Sequence, residues 1–304
     1  MTMIGKFLLH ATGLVTLFVA LSPAQDSTYT GWKKSLIIDV TTTQTAYSDS
    51  WTGGEAGAVN WVGNLNGAAE RHLSPWFHLR STLKLSFGQT ITQSPDKDNK
   101  SKSWSKPKKS TDLIDFENVG RFTAKKFIDP YVAFRFESQF LDASFEPKNR
   151  FLTPIKLTES AGIIRRFYER DNDLITSRLG LAIRQMLKNV IIDSVALITE
   201  DSTLADGGLE SVTDVSYRFN ERLQYTGKLT LFKAFFFSGK DEVKGTKFED
   251  DWRAVDINWE NIVAASISRV VTVNFYTQLL YDKQVSKRGR FKETLAIGFV
   301  FKMF

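Results

Sequence analysis

The stretch VDINWENIVAASISR, residues 255–269, sets Val255, Ile257 and Trp259 against Asp256, Asn258 and Glu260. One face is apolar and the other carries two carboxylates and an amide, the period of two that marks a β-strand between unlike surroundings. The alternation recurs along the chain. Leu36, Ile38 and Val40 share a face, and Trp61 and Leu65 oppose Asn64 and Asn66. Phe77, Leu79, Leu83, Leu85 and Phe87 oppose His78, Arg80, Lys84 and Ser86. Ile114 and Phe116 alternate with Asp115 and Glu117; Val132, Phe134 and Phe136 with Arg135 and Glu137; Ile175, Leu179, Leu181 and Ile183 with Thr176, Arg178 and Arg184. Val215, Tyr217 and Phe219 alternate with Asp214, Ser216 and Arg218. About twelve strands are predicted. The facing of the sixth, LTESAGIIRRF, is left open by the pattern.

The connections have a pattern of their own. Those after even strands are short, around RHLSP, KKFIDP, YERDND, NER and SRV. Those after odd strands are mostly longer: 48–56, 93–110, 141–154, 186–208, 238–253 and 283–290. A soluble sandwich has no reason to alternate short and long connections. An outer-membrane barrel does, with tight periplasmic turns and longer extracellular loops. The chain also ends in a strand, with Leu295, Ile297, Phe299 and Phe301 alternating. An aromatic-rich terminal strand of this kind resembles the recognition signal of barrel assembly, although Met303 takes the parity where an aromatic is usual. The expected fold is therefore all-β, a single antiparallel transmembrane β-barrel of about 12 strands. Val255, Ile257 and Trp259 then face lipid, and Asp256, Asn258 and Glu260 face a wet interior.

The first residues change the picture of location. Lys6 precedes an apolar run from Phe7 to Leu21, then Ser22, Pro23 and Ala24. That reads as a signal peptide over 1–24, with the barrel over 25–304. The run is short for a membrane-spanning helix. Loss of Lys6 leaves 39 of the 40 Lys and Arg against 34 Asp and Glu, a mild excess that does not argue for nucleic acid. With no cysteine there is no disulfide and no lipid-anchored cysteine.

Two stretches carry a resemblance: WKKSLIIDVTTTQTAYSDSWTGGEAGAVNWVGNLNGAA, and DINWENIVAASISRVVTVNFYTQLLYDK with RFKETLAIGFVFKMF. They resemble bacterial outer-membrane proteins of the domain-of-unknown-function family 3078. The resemblance implies a barrel in the outer membrane of a Gram-negative bacterium and brings no biochemical activity with it.

The inward positions carry the candidate chemistry: Arg80, Lys84, Asp115, Glu117, Arg121, Arg135, Glu137, Arg178, Arg184, Asp214, Arg218, Lys228, Asp256, Asn258 and Glu260. Both signs are interleaved. One reading is a lattice of cross-strand ion pairs that props the wall. The other is a lining that selects or binds a small polar solute. Twelve strands fall between the eight that close on packed side chains and the sixteen that leave an aqueous channel. Asp256 and Glu260 are expected to pair with Lys228 and Arg218, or, in an open lumen, to favour cations.

The lysine-rich stretch SPDKDNKSKSWSKPKKS suits a solvated loop or the phosphates of lipopolysaccharide. Gly53–Gly54 permits a tight turn without a ligand. Only His72 and His78 lie beyond the leader, and no serine partner is evident, so an enzyme is not expected. No metal or cofactor is expected either. Outer-membrane lipid, lipopolysaccharide and the barrel-assembly machinery are the expected partners of a monomer.

Overall fold

The computed structural model describes residues 31–45, 57–95, 102–124, 127–143, 149–170, 173–193 and 198–302. The expected signal peptide and the turn containing Gly53 and Gly54 lie outside the described residues. The strands are β1 (Lys33–Thr45), β2 (Ala58–Ser74), β3 (Phe77–Pro95), β4 (Lys102–Trp104), β5 (Lys108–Phe122) and β6 (Asp129–Ser138). They continue as β7 (Leu141–Asp142), β8 (Arg150–Phe151), β9 (Ile155–Arg170), β10 (Asp173–Asp193), β11 (Ile198–Arg218) and β12 (Leu223–Phe237). The last three are β13 (Val255–Ser266), β14 (Val271–Tyr281) and β15 (Arg290–Lys302).

Twelve of these close into one antiparallel barrel. The order runs β2, β1, β15, β14, β13, β12, β11, β10, β9, β6, β5, β3, and β3 returns to β2. β4 extends the far end of β3, and β7 with β8 forms a separate small hairpin. Among the described residues, no helix is long and apolar enough to cross a membrane; the crossing is made by strands.

The side-chain pattern follows from the two solvents. Val132, Phe134, Leu179, Leu181, Ile183, Trp259, Phe275, Leu295, Ile297 and Phe299 all stand exposed on the outer wall. In water so continuous an apolar surface would be costly; against hydrocarbon it is the stable arrangement. Backbone groups are satisfied because the closed ladder leaves no free edge along the wall. β9, whose facing the sequence left open, places Lys156, Thr158, Ser160, Gly162 and Ile164 inward, in register with inward residues of β6 and β10.

The connections at the end holding the chain termini are short: 75–76, 123–128, 171–172, 219–222 and 267–270. Those at the other end are mostly longer. One expected loop is corrected. Most of 186–208 is strand: β10 and β11 stay paired from Leu187 and Thr203 up to Val190 and Glu200 and beyond. The polar residues Lys188, Asn189, Asp201 and Ser202 hide this hairpin from a hydropathy reading. Likewise β3 reaches Pro95, and Lys102–Trp104 pairs with it inside the expected loop 93–110.

The loop between β12 and β13 holds a helical turn at Lys240–Val243 and a 3-10 turn at Asp251–Arg253. It bends into the barrel mouth, where Trp252 packs on the inward residues Ala182, Phe232 and Ala234. Lys283, on the neighbouring loop after β14, ties to Asp251 at 2.8 Å.

Candidate functional site

The lumen is not uniform around its circumference. On the side formed by β5, β6 and β9–β12 it is filled. Glu117 of β5 accepts from Arg178 of β10 and, at 2.8 Å, from Lys228 of β12. β5 and β12 stand five places apart in the ring, so Lys228–Glu117 is a tie across the lumen. Both side chains are about nine-tenths covered, at 11% and 10% exposure.

Around this tie the charges are paired locally. Arg135 holds Asp115 through two bonds, at 2.9 and 3.0 Å, and reaches Glu137 at 3.2 Å, which Lys156 also approaches at 3.7 Å. Arg184 holds Asp206 at 2.6 Å and Asp256 at 2.8 Å. Its guanidinium lies 3.5 Å above the Phe232 ring. Tyr131 and Val212 are fully buried among these groups. Tyr131 fits because Gly162 and Gly180 face each other beneath it: a Cβ on Gly180 would stand 2.6 Å from the Tyr131 Oη.

The side formed by β13–β15 and β1–β3 differs. Its inward residues are mostly amides and hydroxyls joined in hydrogen-bonded ladders. Asn64 donates to Asp39 at 2.8 Å and accepts from Ser86 at 2.6 Å. Asn60 accepts from Thr90 and donates to Thr43. Asn258 accepts from Gln278 at 3.0 Å and donates to Glu260 at 3.1 Å. One tie crosses the lumen here, Lys84 of β3 to Glu260 of β13, again five places apart. It is loose, at 3.9 Å, and its lysine is 39% exposed. Asn66, in register with Lys84, is exposed although it faces inward. Lys292, Thr294 and Thr43 are exposed nearer the looped end.

Among the sequence candidates, Lys84, Asp115, Glu117, Arg121, Arg135, Glu137, Arg178, Arg184, Lys228, Asp256, Asn258 and Glu260 make the inward bonds described above or, for Arg121, a 2.8 Å bond to Asp129 near the terminal end. Asp214 keeps the inward register opposite Lys228. Arg80 faces inward on β3 and makes no ion pair with a described residue. Arg218 keeps the register but stands exposed at the terminal rim, where its backbone N–H donates to Asp173. The expected pairing of Asp256 and Glu260 with Lys228 and Arg218 is corrected. Asp256 goes to Arg184, Glu260 to Lys84 and Lys228 to Glu117, because ties across the lumen compete with neighbours along the wall. Asp206, Lys156, Tyr131 and Lys292 belong to the lumen and were not expected there. Asp206 sat in a stretch read as loop, and Lys156 just before the strand of undecided facing.

A closed twelve-stranded antiparallel barrel with an apolar outer wall and a charged, hydrogen-bonded interior is a transmembrane β-barrel. The model of the family described as "Protein of unknown function (DUF3078)" matches residues 42–143, from the outer part of β1 to just past β7, and supports membership of that family. No curated protein matches the sequence. Among solved structures the chain is similar to the translocator domain of the autotransporter NalP from Neisseria meningitidis, at 9% identity and a TM-score of 0.38, covering 97% of each chain. It is similar to the COG4313 outer membrane channel from Pseudomonas putida F1, at 10% identity and a TM-score of 0.38, over 94% of this chain and 97% of that one. The NanC porin matches at 7% identity and a TM-score of 0.32, over 88% and 97%. The strand pairing described above, rather than these likenesses, defines the barrel.

Proposed function

We propose that the protein is an outer-membrane barrel that passes small polar solutes along one side of its lumen, past the Lys84–Glu260 tie. The observation that carries this reading is the contrast between the two ties. Lys228–Glu117 is short and covered, whereas Lys84–Glu260 is long and reached by water. A charge pair in contact with water contributes little to stability and parts at little cost. The termini then lie on the periplasmic side, and the longer loops outside. Lys106 and Lys108, exposed before and at the start of β5, suit the phosphates of lipopolysaccharide. A monomer inserted by the barrel-assembly machinery, without catalytic chemistry of its own, completes the reading.

One observation favours the second reading, a sealed structural barrel. The inward row Thr41, Gly298 and Thr272 is buried on the wet side too. Recording in planar bilayers separates the two. The proposal expects a small conductance for the purified protein and a larger one for Glu260→Gln. Silence in both, at all voltages, with the barrel folded, establishes the sealed barrel instead.

A further inference from the structure

We infer that the solute preferred by this route is a small anion; the inference rests on the passage proposed above and adds its sign. The charges of the wet side are not balanced where water reaches them. Arg290 and Lys292 face inward near the looped end, in register with Leu280 and Gln278, and both are exposed. Lys292 leans on the inward ring of Tyr276, at 5.8 Å, and neither residue makes an ion pair among the described residues. Lys84 is held only by the loose contact to Glu260. Arg80 lies two inward positions further toward the terminal end, past Thr82, again without an ion pair among the described residues.

Cations thus mark the wet side from mouth to mouth, on β15 and β3. The carboxylates of the same side are each engaged. Asp39 accepts from Asn64, Glu260 accepts from Asn258, and Glu70 lies against Lys33 and His78. The inward set of β14, from Thr272 through Asn274, Tyr276 and Gln278 to Leu280, has no charge. On the filled side Asp115, Glu117, Glu137, Asp206 and Asp256 are committed to arginines and Lys228, and Glu210 and Asp214 face inward on β11, away from the wet side. A passing ion therefore meets Arg290, Lys292, the loosely held Lys84 and Arg80 in succession, with amide and hydroxyl groups between to replace its water. A row of Lys and Arg along a constriction selects for anions.

The test is the reversal potential of the purified barrel in a potassium chloride gradient. Wild type, Lys84→Gln and Lys292→Gln are compared, each first shown to be folded by heat-modifiable gel mobility. Wild type is expected to prefer chloride. Each variant is expected to lower the chloride-to-potassium permeability ratio severalfold, and Arg80→Gln to act in the same direction. Conductance that is unselective or cation-selective, or ratios unchanged in the folded variants, overturns the anion preference and leaves the passage standing. Absence of conductance in every protein overturns both.

Discussion

The two sides of the lumen use the same residue types to opposite ends. On the filled side, Glu117 is enclosed between Arg178 and Lys228, and each charge owes its tolerance to the others. On the wet side, Lys84 and Glu260 meet across a similar span at 3.9 Å, with the lysine 39% exposed. Residue type does not distinguish the two Lys–Glu ties. Enclosure does: burial turns an ion pair into a structural necessity, and water turns it into a loose contact.

The largest expected effect comes from breaking the enclosed tie. Glu117→Gln leaves Arg178 and Lys228 covered and uncompensated, and a loss of about 3–5 kcal/mol is expected. A fall in the temperature at which the folded band disappears on heat-modifiable gels measures it. Replacing Glu117, Arg178 and Lys228 together by apolar residues of similar volume should restore most of that loss, which would show that the tie is a matter of compensation rather than of net attraction.

A second pair of variants tests the facing of the wall that carries both ties. Ile257→Arg puts a guanidinium on the lipid face at a cost of roughly 2–4 kcal/mol. Asn258→Arg points into the wet side and should assemble nearly as well as wild type. Greater damage from Asn258→Arg in the same gel assay would shift the register of β13 by one residue.

On the wet side the expected stability effects are smaller. Lys84→Met should change stability by no more than about 1 kcal/mol, because its partner is distant and its head is in water. A loss as large as that of Glu117→Gln would erase the distinction between the sides.

How much of this was legible in the sequence depends on distance along the chain. The strands, their facing and the closed barrel follow from a period of two and from loop lengths, which are local. The division of the lumen does not. Lys228 and Glu117 are 111 residues apart, and which inward charge meets which is set by the stagger of twelve strands round the ring. No spacing within one strand encodes it. Asp256 and Glu260 illustrate the point: they are neighbours on one face of β13, yet one is bound into the filled side and the other guards the wet one.

The smallest effects concern the mouth. The hydrogen bond from Lys283 to Asp251 raises the lysine above its ordinary pKa. Because the folded value is the higher one, the tie is fully present at neutral pH and is lost only as pH rises through the raised value. Proteolysis of the loops 238–254 and 282–289 should therefore be unchanged between pH 6 and 8 and faster in Lys283→Met. Orientation can be read at the same loops. A cysteine at Gly245, where nothing crowds a side chain although the φ of 72° strains a non-glycine residue, should react with an impermeant reagent on intact cells. A cysteine at Asn220, in the turn at the terminal end, should not.

The seam of the barrel bears on how the molecule comes into being. β1 and β15 are joined by five register pairs, Ile37–Lys302 to Thr41–Gly298, the shortest ladder of the ring among the described residues. Every other neighbour in the ring is also near in sequence, whereas this one joins the two ends of the chain. Pairings of such long range form late and slowly. Until that moment both β1 and β15 are open edges, able to pair with any other strand they meet. Closing this one ladder removes both open edges at once, so the five pairs of the seam decide whether the barrel is inert toward other strands.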